Sequence, residues 1–127
     1  MRKSICIIDD DQIYQIIVKK IISKADAFGE IFQYLNCWQA ITDFEAPGCE
    51  LPSLILLDIN LPFIDGWQFL EHLTRCRPNL SEETSIYIVT SSIAYSDKLK
   101  ANSCKEVSGF ISKPLTVGKL QEIAAKL

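Results

Sequence analysis

Ile5-Cys6-Ile7-Ile8-Asp9-Asp10-Asp11 opens as four apolar residues and ends on three carboxylates. A run with no polar alternation suits a strand covered on both faces, as parallel strands are. Leu54-Ile55-Leu56-Leu57-Asp58 repeats the arrangement, an apolar run and then an acid. Ile86-Tyr87-Ile88-Val89 leads into Thr90-Ser91-Ser92, and the shorter Phe110-Ile111 leads into Ser112-Lys113-Pro114. Ile31-Phe32-Gln33-Tyr34-Leu35 is a fifth candidate strand, whose central Gln33 fits a less covered edge.

Helical patterns fill the gaps. Ile13, Ile17 and Ile21 recur at i+4, with Ile16 widening the stripe. Asn36 can cap a short helix running to Phe44. Phe69, Leu70 and Leu73 mark a third helix that begins near Gly66, and Tyr95 and Leu99 a weaker fourth. Val117, Leu120, Ala124 and Leu127 mark a fifth after Thr116. Strand and helix therefore alternate five times, which predicts an α/β layer fold: a doubly wound parallel sheet with right-handed crossovers and helices on both faces. Ala46-Pro47-Gly48 and Arg77-Pro78-Asn79 read as connections inside one domain spanning residues 1–127.

A chain of 127 residues has room for one such domain and its core. With 48% hydrophobic and 23% charged residues, it is neither a disordered tail nor a collagenous chain nor a coiled coil. No apolar run approaches the roughly 20 residues of a membrane span. The start at Met1-Arg2-Lys3 lacks the long apolar segment of a secretory signal, so a cytoplasmic location is expected, with no membrane partner. A formal charge of −3 without a Lys/Arg cluster predicts no direct nucleic-acid contact. Five scattered cysteines without a CxxC pair give no support to a zinc or redox site, and reduced thiols, several of them buried, are expected.

Ligands of open α/β sheets sit beyond the carboxyl ends of the strands. In this sequence those ends carry Asp9, Asp10, Asp58 and Asn60, then Thr90 and Ser91, then Lys113. Asp11 reads as the cap of the first helix. Capping is a poor account of Asp9, Asp10 and Asp58 together. They would bring about three negative charges into one crevice, against one from Lys113, and like charges so close raise each other's pKa. A cation relieves that, and an oxygen-only ligand set with room for water favours Mg²⁺.

These residues closely resemble the receiver domain of two-component response regulators along nearly the whole chain. The matching stretches are Ile7-Ile8-Asp9-Asp10-Asp11, Leu56-Leu57-Asp58-Ile59-Asn60-Leu61-Pro62, Asp65-Gly66, Ile88-Val89-Thr90-Ser91 and Gly109-Phe110-Ile111-Ser112-Lys113-Pro114. The resemblance implies a flavodoxin-like sheet in strand order 2-1-3-4-5. It implies Asp58 as phosphoryl acceptor and Asp9 and Asp10 as acids of a Mg²⁺ site, Asp10 the direct ligand. Asp58 and the backbone carbonyl of Asn60 would complete the metal set. Thr90, Ser91 and Lys113 would bind the phosphoryl group, and Thr90 and Phe110 would form the switch. The implied partners are a sensor histidine kinase or histidine phosphotransfer protein and a downstream protein target. The implied readout face is the fourth helix, fifth strand and fifth helix, from Tyr95 to Asn102 and from Phe110 to Lys126. A protein of this kind catalyses only its own phosphorylation and dephosphorylation, as a monomer or a phosphorylation-dependent dimer. Ending at the fifth helix, it is expected to be a chemotaxis-regulator-like stand-alone receiver or one excised from a longer chain.

Some residues depart from the family's pattern. Phe110 is often tyrosine there; phenylalanine can rotate inward but offers no hydroxyl. Ser103-Cys104-Lys105-Glu106-Val107 lacks the usual glycine, so the end of the fourth helix is expected to be atypical. Asn60 and Ser92, small and uncharged, leave water unblocked. His72, the only histidine, lies between Glu71 and Leu73 and reads as a solvated surface residue, and Trp67 as a core residue near the acid pocket.

Other readings use the same residues. A phosphatase of the haloacid dehalogenase type would take Asp9-Asp10-Asp11 as its opening motif, with Thr90 and Lys113 as later ones. It would then lack an acidic pair after Lys113 and leave Asp58 without a task. A flavin module fails because Asp9-Asp10-Asp11 would repel its phosphate. A receiver-like protein that binds partners without being phosphorylated remains open.

Overall fold

Five parallel strands lie side by side in the order β2-β1-β3-β4-β5. They are β1 (Lys3–Ile8), β2 (Phe28–Tyr34), β3 (Leu54–Leu57), β4 (Ser85–Thr90) and β5 (Val107–Ser112) in a computed structural model that describes residues 2–91 and 94–127. The order makes β2 and β5 the edges, where Gln33 and the short Phe110-Ile111 run were expected. The helices are α1 (Gln12–Ala25), α2 (Cys37–Glu45), α3 (Gly66–Cys76), a single turn α4 (Leu80–Glu83), α5 (Tyr95–Ser103) and α6 (Val117–Ala124). The turn α4 was not expected, and it makes α5 and α6 the predicted fourth and fifth helices.

Alternation along each strand splits the core in two. Cys6, Ile8, Ile55, Leu57, Ile86 and Ile88 face α2 and α3, where Ala40, Phe44, Phe69 and Leu73 cover them. Ile5, Ile7, Leu54, Leu56, Val89 and Ile111 face the other way, beneath Val18 and Ile22 of α1 and Leu120 and Ile123 of α6. Strands apolar on both sides are thereby covered on both sides.

Local chemistry starts the helices. Asp11 caps α1 through Oδ1, which accepts from the N–H groups of Ile13 and Tyr14 at 2.9 and 3.1 Å. Asn36 caps α2. Asp65 and Gln68 form a reciprocal capping box on α3, and Thr116 caps α6. The end of α5 bears out its missing glycine: Cys104 closes it in extended conformation, with no left-handed residue.

One helix face differs from its expected stripe. Ile13, Ile16 and Ile17 are 70%, 61% and 49% exposed, while Gln15, Val18, Ile22 and Ala25 are buried. Val18, Ile22 and Ala25 sit in the core beneath α1, and the two N–H groups of Gln15 Nε2 are shared among the carbonyls of Ile7, Asp9 and Tyr34 at 3.3, 3.1 and 2.9 Å. The buried face is thus turned about one residue from the isoleucine stripe, and its polar member is hydrogen-bonded to the strand ends.

Candidate functional site

Register brings the polar strand ends together. Ile8 pairs with Leu57, Leu57 with Ile88 and Thr90 with Ser112, so the residues just beyond lie in one row. The ladder's last bonds still hold the acids: the Asp9 N–H donates to the Tyr34 carbonyl at 3.1 Å and the Asp58 N–H to the Ile8 carbonyl at 3.0 Å. Asp9 and Asp58 are only 2% and 8% exposed, and Thr90 1%. Asp10 is exposed at the mouth of this row.

Lys113 reaches back across this row. Its Nζ lies 2.7 Å from Asp9 Oδ2, 3.3 Å from Asp58 Oδ2 and 4.1 Å from the centre of the Tyr14 ring. Its backbone N–H donates to the Thr90 carbonyl at 3.0 Å, and the Lys113–Pro114 peptide is cis. On the other side, the Asn60 N–H donates to Asp58 Oδ1 at 2.9 Å, while Asn60 Nδ2 donates to Thr90 Oγ1 at 3.2 Å. One asparagine thus ties the acid of β3 to the hydroxyl of β4.

Burial pushes the Asp9 carboxyl above its ordinary range; bonds from Lys113 and the Asp11 N–H oppose this without cancelling it, and the Asp58 charge adds to it. For Lys113 burial acts downward, but the Asp9 hydrogen bond and the two acid charges carry its ammonium above the ordinary value. A salt bridge alone would lower Asp9, so its upward direction marks how dry the pocket is. Carboxylate oxygens of Asp9, Asp10 and Asp58 all lie within 4.8 Å of one another. Ligands around an octahedral Mg²⁺ stand about 3 Å apart at neighbouring positions and about 4 Å at opposite ones. The donor set and its surplus of negative charge fit a hard divalent cation.

A family profile described as the response regulator receiver domain matches residues 5–125. The chain belongs to the receiver domains of response regulators. A two-component response regulator from Cytophaga hutchinsonii is 27% identical to this receiver, superposing with a TM-score of 0.88 over 99% of this chain and 97% of that one. One from Legionella pneumophila is also 27% identical, with a TM-score of 0.80 over 99% and 100% of the two chains. A probable methanogenesis regulatory protein of Methanothrix harundinacea is 24% identical over 97% of this receiver and 79% of its own length. Membership removes the phosphatase and flavin readings. Receivers are signalling domains that work through phosphorylation in two-component systems.

The receiver thus assembles Asp9, Asp10, Asp58, Asn60, Thr90 and Lys113. Ser91 lies exposed at the end of β4. Phe110 is half-buried on β5, paired with Ile88 and packed against the core on the α2–α3 side of the sheet. Ser92 lies outside the described residues. Sequence reasoning missed Tyr14, whose ring covers the Lys113 ammonium, because no pattern marks it beyond its place one turn after the Asp11 cap. It also missed the Asn60 side chain, treated only as a small group that leaves water unblocked. Gly66 carried a usable signal in Asp65-Gly66: a Cβ there would meet Ile59 Cα at 2.8 Å and the Asp58 carbonyl at 2.9 Å, so only glycine lets α3 start against the Asp58 loop.

Two residues make contacts beyond those expected. Trp67 is more than a core residue, for its Nε1 donates to Asp97 Oδ1 at 3.2 Å and its ring lies 5.6 Å from Lys100 Nζ, linking α3 to α5. His72 lies at the surface as expected, and there its Nε2 bonds Glu45 of α2. Among the described residues no helix is long and apolar enough to cross a membrane.

Proposed function

We propose that residues 1–127 act as a single cytoplasmic receiver switch in which Asp58 accepts a phosphoryl group from a phosphohistidine. The donor is a sensor histidine kinase or a histidine phosphotransfer protein. The observation that carries this reading is the buried Asp58 carboxylate at the end of β3, 3.3 Å from Lys113 and within ligand distance of Asp9 and Asp10. An Asp58 oxygen attacks phosphorus, an O–P bond forms and the N–P bond breaks. The departing imidazole nitrogen keeps that electron pair and takes a proton from solvent.

Phosphoryl transfer asks the protein mainly for alignment and charge neutralisation. Lys113 offers an ammonium to one phosphoryl oxygen, and Thr90 and the Ser91 N–H offer donors to the others. Asp9, Asp10, Asp58 and the Asn60 carbonyl would hold Mg²⁺, with Asp10 as direct ligand. When bound, Mg²⁺ supplies positive charge that offsets the crowded carboxylates and phosphoryl oxygens. The chain catalyses only its own phosphorylation and dephosphorylation.

The new charge of about −2 then biases a two-state element. Thr90 turns toward the phosphoryl group, Phe110 fills the space behind it, and the α5-β5-α6 face changes for a downstream protein, as a monomer or a phosphorylation-dependent dimer. The Trp67–Asp97 bond makes the indole a reporter of α5.

Acetyl phosphate tests the reading. With Mg²⁺ we expect one phosphoryl adduct by intact mass, mapped to Asp58, together with a change in Trp67 emission. Both should vanish without Mg²⁺ and in Asp58→Asn. An adduct on another residue, or one that persists in Asp58→Asn, removes the assignment.

A further inference from the structure

At the far end of α3, away from the acid pocket, three side chains with different donor atoms converge. His72 and Cys76 are four residues apart and so share one face of the helix. Glu45, the last residue of α2, meets both: its Oε1 bonds His72 Nε2 and accepts from Cys76 Sγ at 3.3 Å. The three ligand atoms lie within 4.8 Å of one another. Nitrogen and oxygen ligands bind Zn²⁺ at about 2.0–2.2 Å and sulfur at about 2.3 Å, which sets neighbouring ligands about 3.3–3.8 Å apart in a tetrahedron. To reach that spacing Glu45 Oε1 draws back from His72 Nε2, exchanging its two hydrogen bonds for a shared ion.

We infer that Glu45, His72 and Cys76 form a second metal site, one that takes Zn²⁺ and staples α2 to α3. One nitrogen, one thiolate and one carboxylate match the borderline-soft preference of Zn²⁺ and mismatch Mg²⁺. The charges also balance, since thiolate and carboxylate together cancel +2. Binding forms Zn–S, Zn–N and Zn–O bonds and leaves the fourth position to water. The Cys76 thiol proton leaves to solvent, and a neutral His72 carries its remaining proton on Nδ1.

The scaffold beneath the trio is already set. Arg77, next to Cys76, donates from Nη2 to the carbonyls of Phe44 and Cys49 at 2.9 and 2.6 Å, so the last turns of α2 and α3 are clamped before any ion arrives. Its charge is taken up by Glu83, 3.0 Å from Nη1. Glu45 and His72 keep side-chain exposures of 39% and 38%, which leaves the ion a path from solvent. Cys76 lies ten residues beyond Gly66, about 15 Å along the helix, so this site and the Asp58 pocket fill independently. The inference therefore does not rest on the proposed phosphorylation of Asp58.

The test is a Co²⁺ titration of the reduced full chain in excess Mg²⁺, which occupies the acid pocket, followed by displacement with Zn²⁺. We expect an ultraviolet thiolate-to-cobalt band that saturates at one equivalent and is erased by Zn²⁺. Cys76→Ser should abolish the band. His72→Ala and Glu45→Gln should weaken binding by more than the roughly tenfold typical of losing even an outer-shell partner. Zn²⁺ should raise the melting temperature of the natural chain and not of Cys76→Ser. All three positions are at the surface, so the variants fold. Absence of the band, its survival in Cys76→Ser, or an unchanged affinity in both other variants would overturn the site.

Discussion

Lys113 serves two acids at once, 2.7 Å from Asp9 and 3.3 Å from Asp58, with its side chain 17% exposed. Removing one partner of a fully buried pair costs about 3–5 kcal/mol, and partial contact with water brings Lys113→Ala below that range. A divalent cation can replace the lost charge, so Mg²⁺ should recover more stability in Lys113→Ala than in the natural chain. Urea midpoints with and without Mg²⁺ check this; equal recovery in the two proteins would mean that Lys113 and the cation answer different charges. Asp9, Asp58, Thr90 and Lys113 were legible because each follows an apolar run, Lys113 after an intervening Ser112, and a parallel sheet gathers whatever follows its strands. The Asn60–Thr90 bond was not legible, since it joins residues 30 apart through side-chain geometry that no run of sequence records.

At the scale of elements, α1 carries two helical stripes, and periodicity alone could not rank them. Ile13, Ile17 and Ile21 form one, Gln15, Val18, Ile22 and Ala25 the other; the second is buried, with Val18, Ile22 and Ala25 in the core and Gln15 hydrogen-bonded to strand-end carbonyls. Counting isoleucines favoured the first stripe, although the second is apolar too at Val18, Ile22 and Ala25 and its one polar residue finds partners at the strand ends. The placing of α3 depends on contact at both of its ends. At the first, Gly66→Ala forces a methyl group into the Ile59 backbone and the Asp58 carbonyl, an overpacking of about 1–3 kcal/mol. It should also slow phosphorylation if Asp58 is the acceptor proposed above, because the carbonyl that shifts is its own. At the second, Arg77→Ala orphans the Phe44 and Cys49 carbonyls, destabilising by about 1–3 kcal/mol without touching the acceptor loop. Urea unfolding combined with acetyl phosphate labelling separates the two; equal labelling rates would show that α3 does not position Asp58.

For the whole molecule, burial fixes how stability responds to alkali. Burial raises the Cys6 thiol far above its ordinary 9.0, and the nearby Asp43 charge adds to the rise. Cys37 is pushed up to about 12, by burial first and then by the charges of Asp65 and Asp58. Tyr14 is pushed from 10.0 to about 12, again by burial first, with Lys113 opposing and the acids adding. The folded state keeps these protons while the unfolded chain loses them above pH 9 and 10. Their stabilising contribution is therefore complete below pH 9 and shrinks as pH rises toward the folded values, by up to about 1.4 kcal/mol per pH unit for each group. Urea midpoints taken at about pH 8 and about pH 10.5 should fall accordingly. An unchanged midpoint would mean that these groups ionise as easily folded as unfolded.

The bond from Asn60 Nδ2 to Thr90 Oγ1 bears on how quiet such a switch is when no signal arrives. A receiver that visits its active arrangement spontaneously has a background output, and that output depends on what restrains the hydroxyl beforehand. A hydrogen bond worth about 1 kcal/mol net holds the spontaneous population down about fivefold. Asn60→Ala removes that restraint while keeping the backbone bond to Asp58. We expect its Thr90 and Phe110 amide resonances, without any phosphodonor, to move part of the way toward their phosphorylated positions. Resonances that stay at the natural chain's resting positions would refute this. If they move, Asn60 makes one of the contacts that set how often the switch fires without a signal.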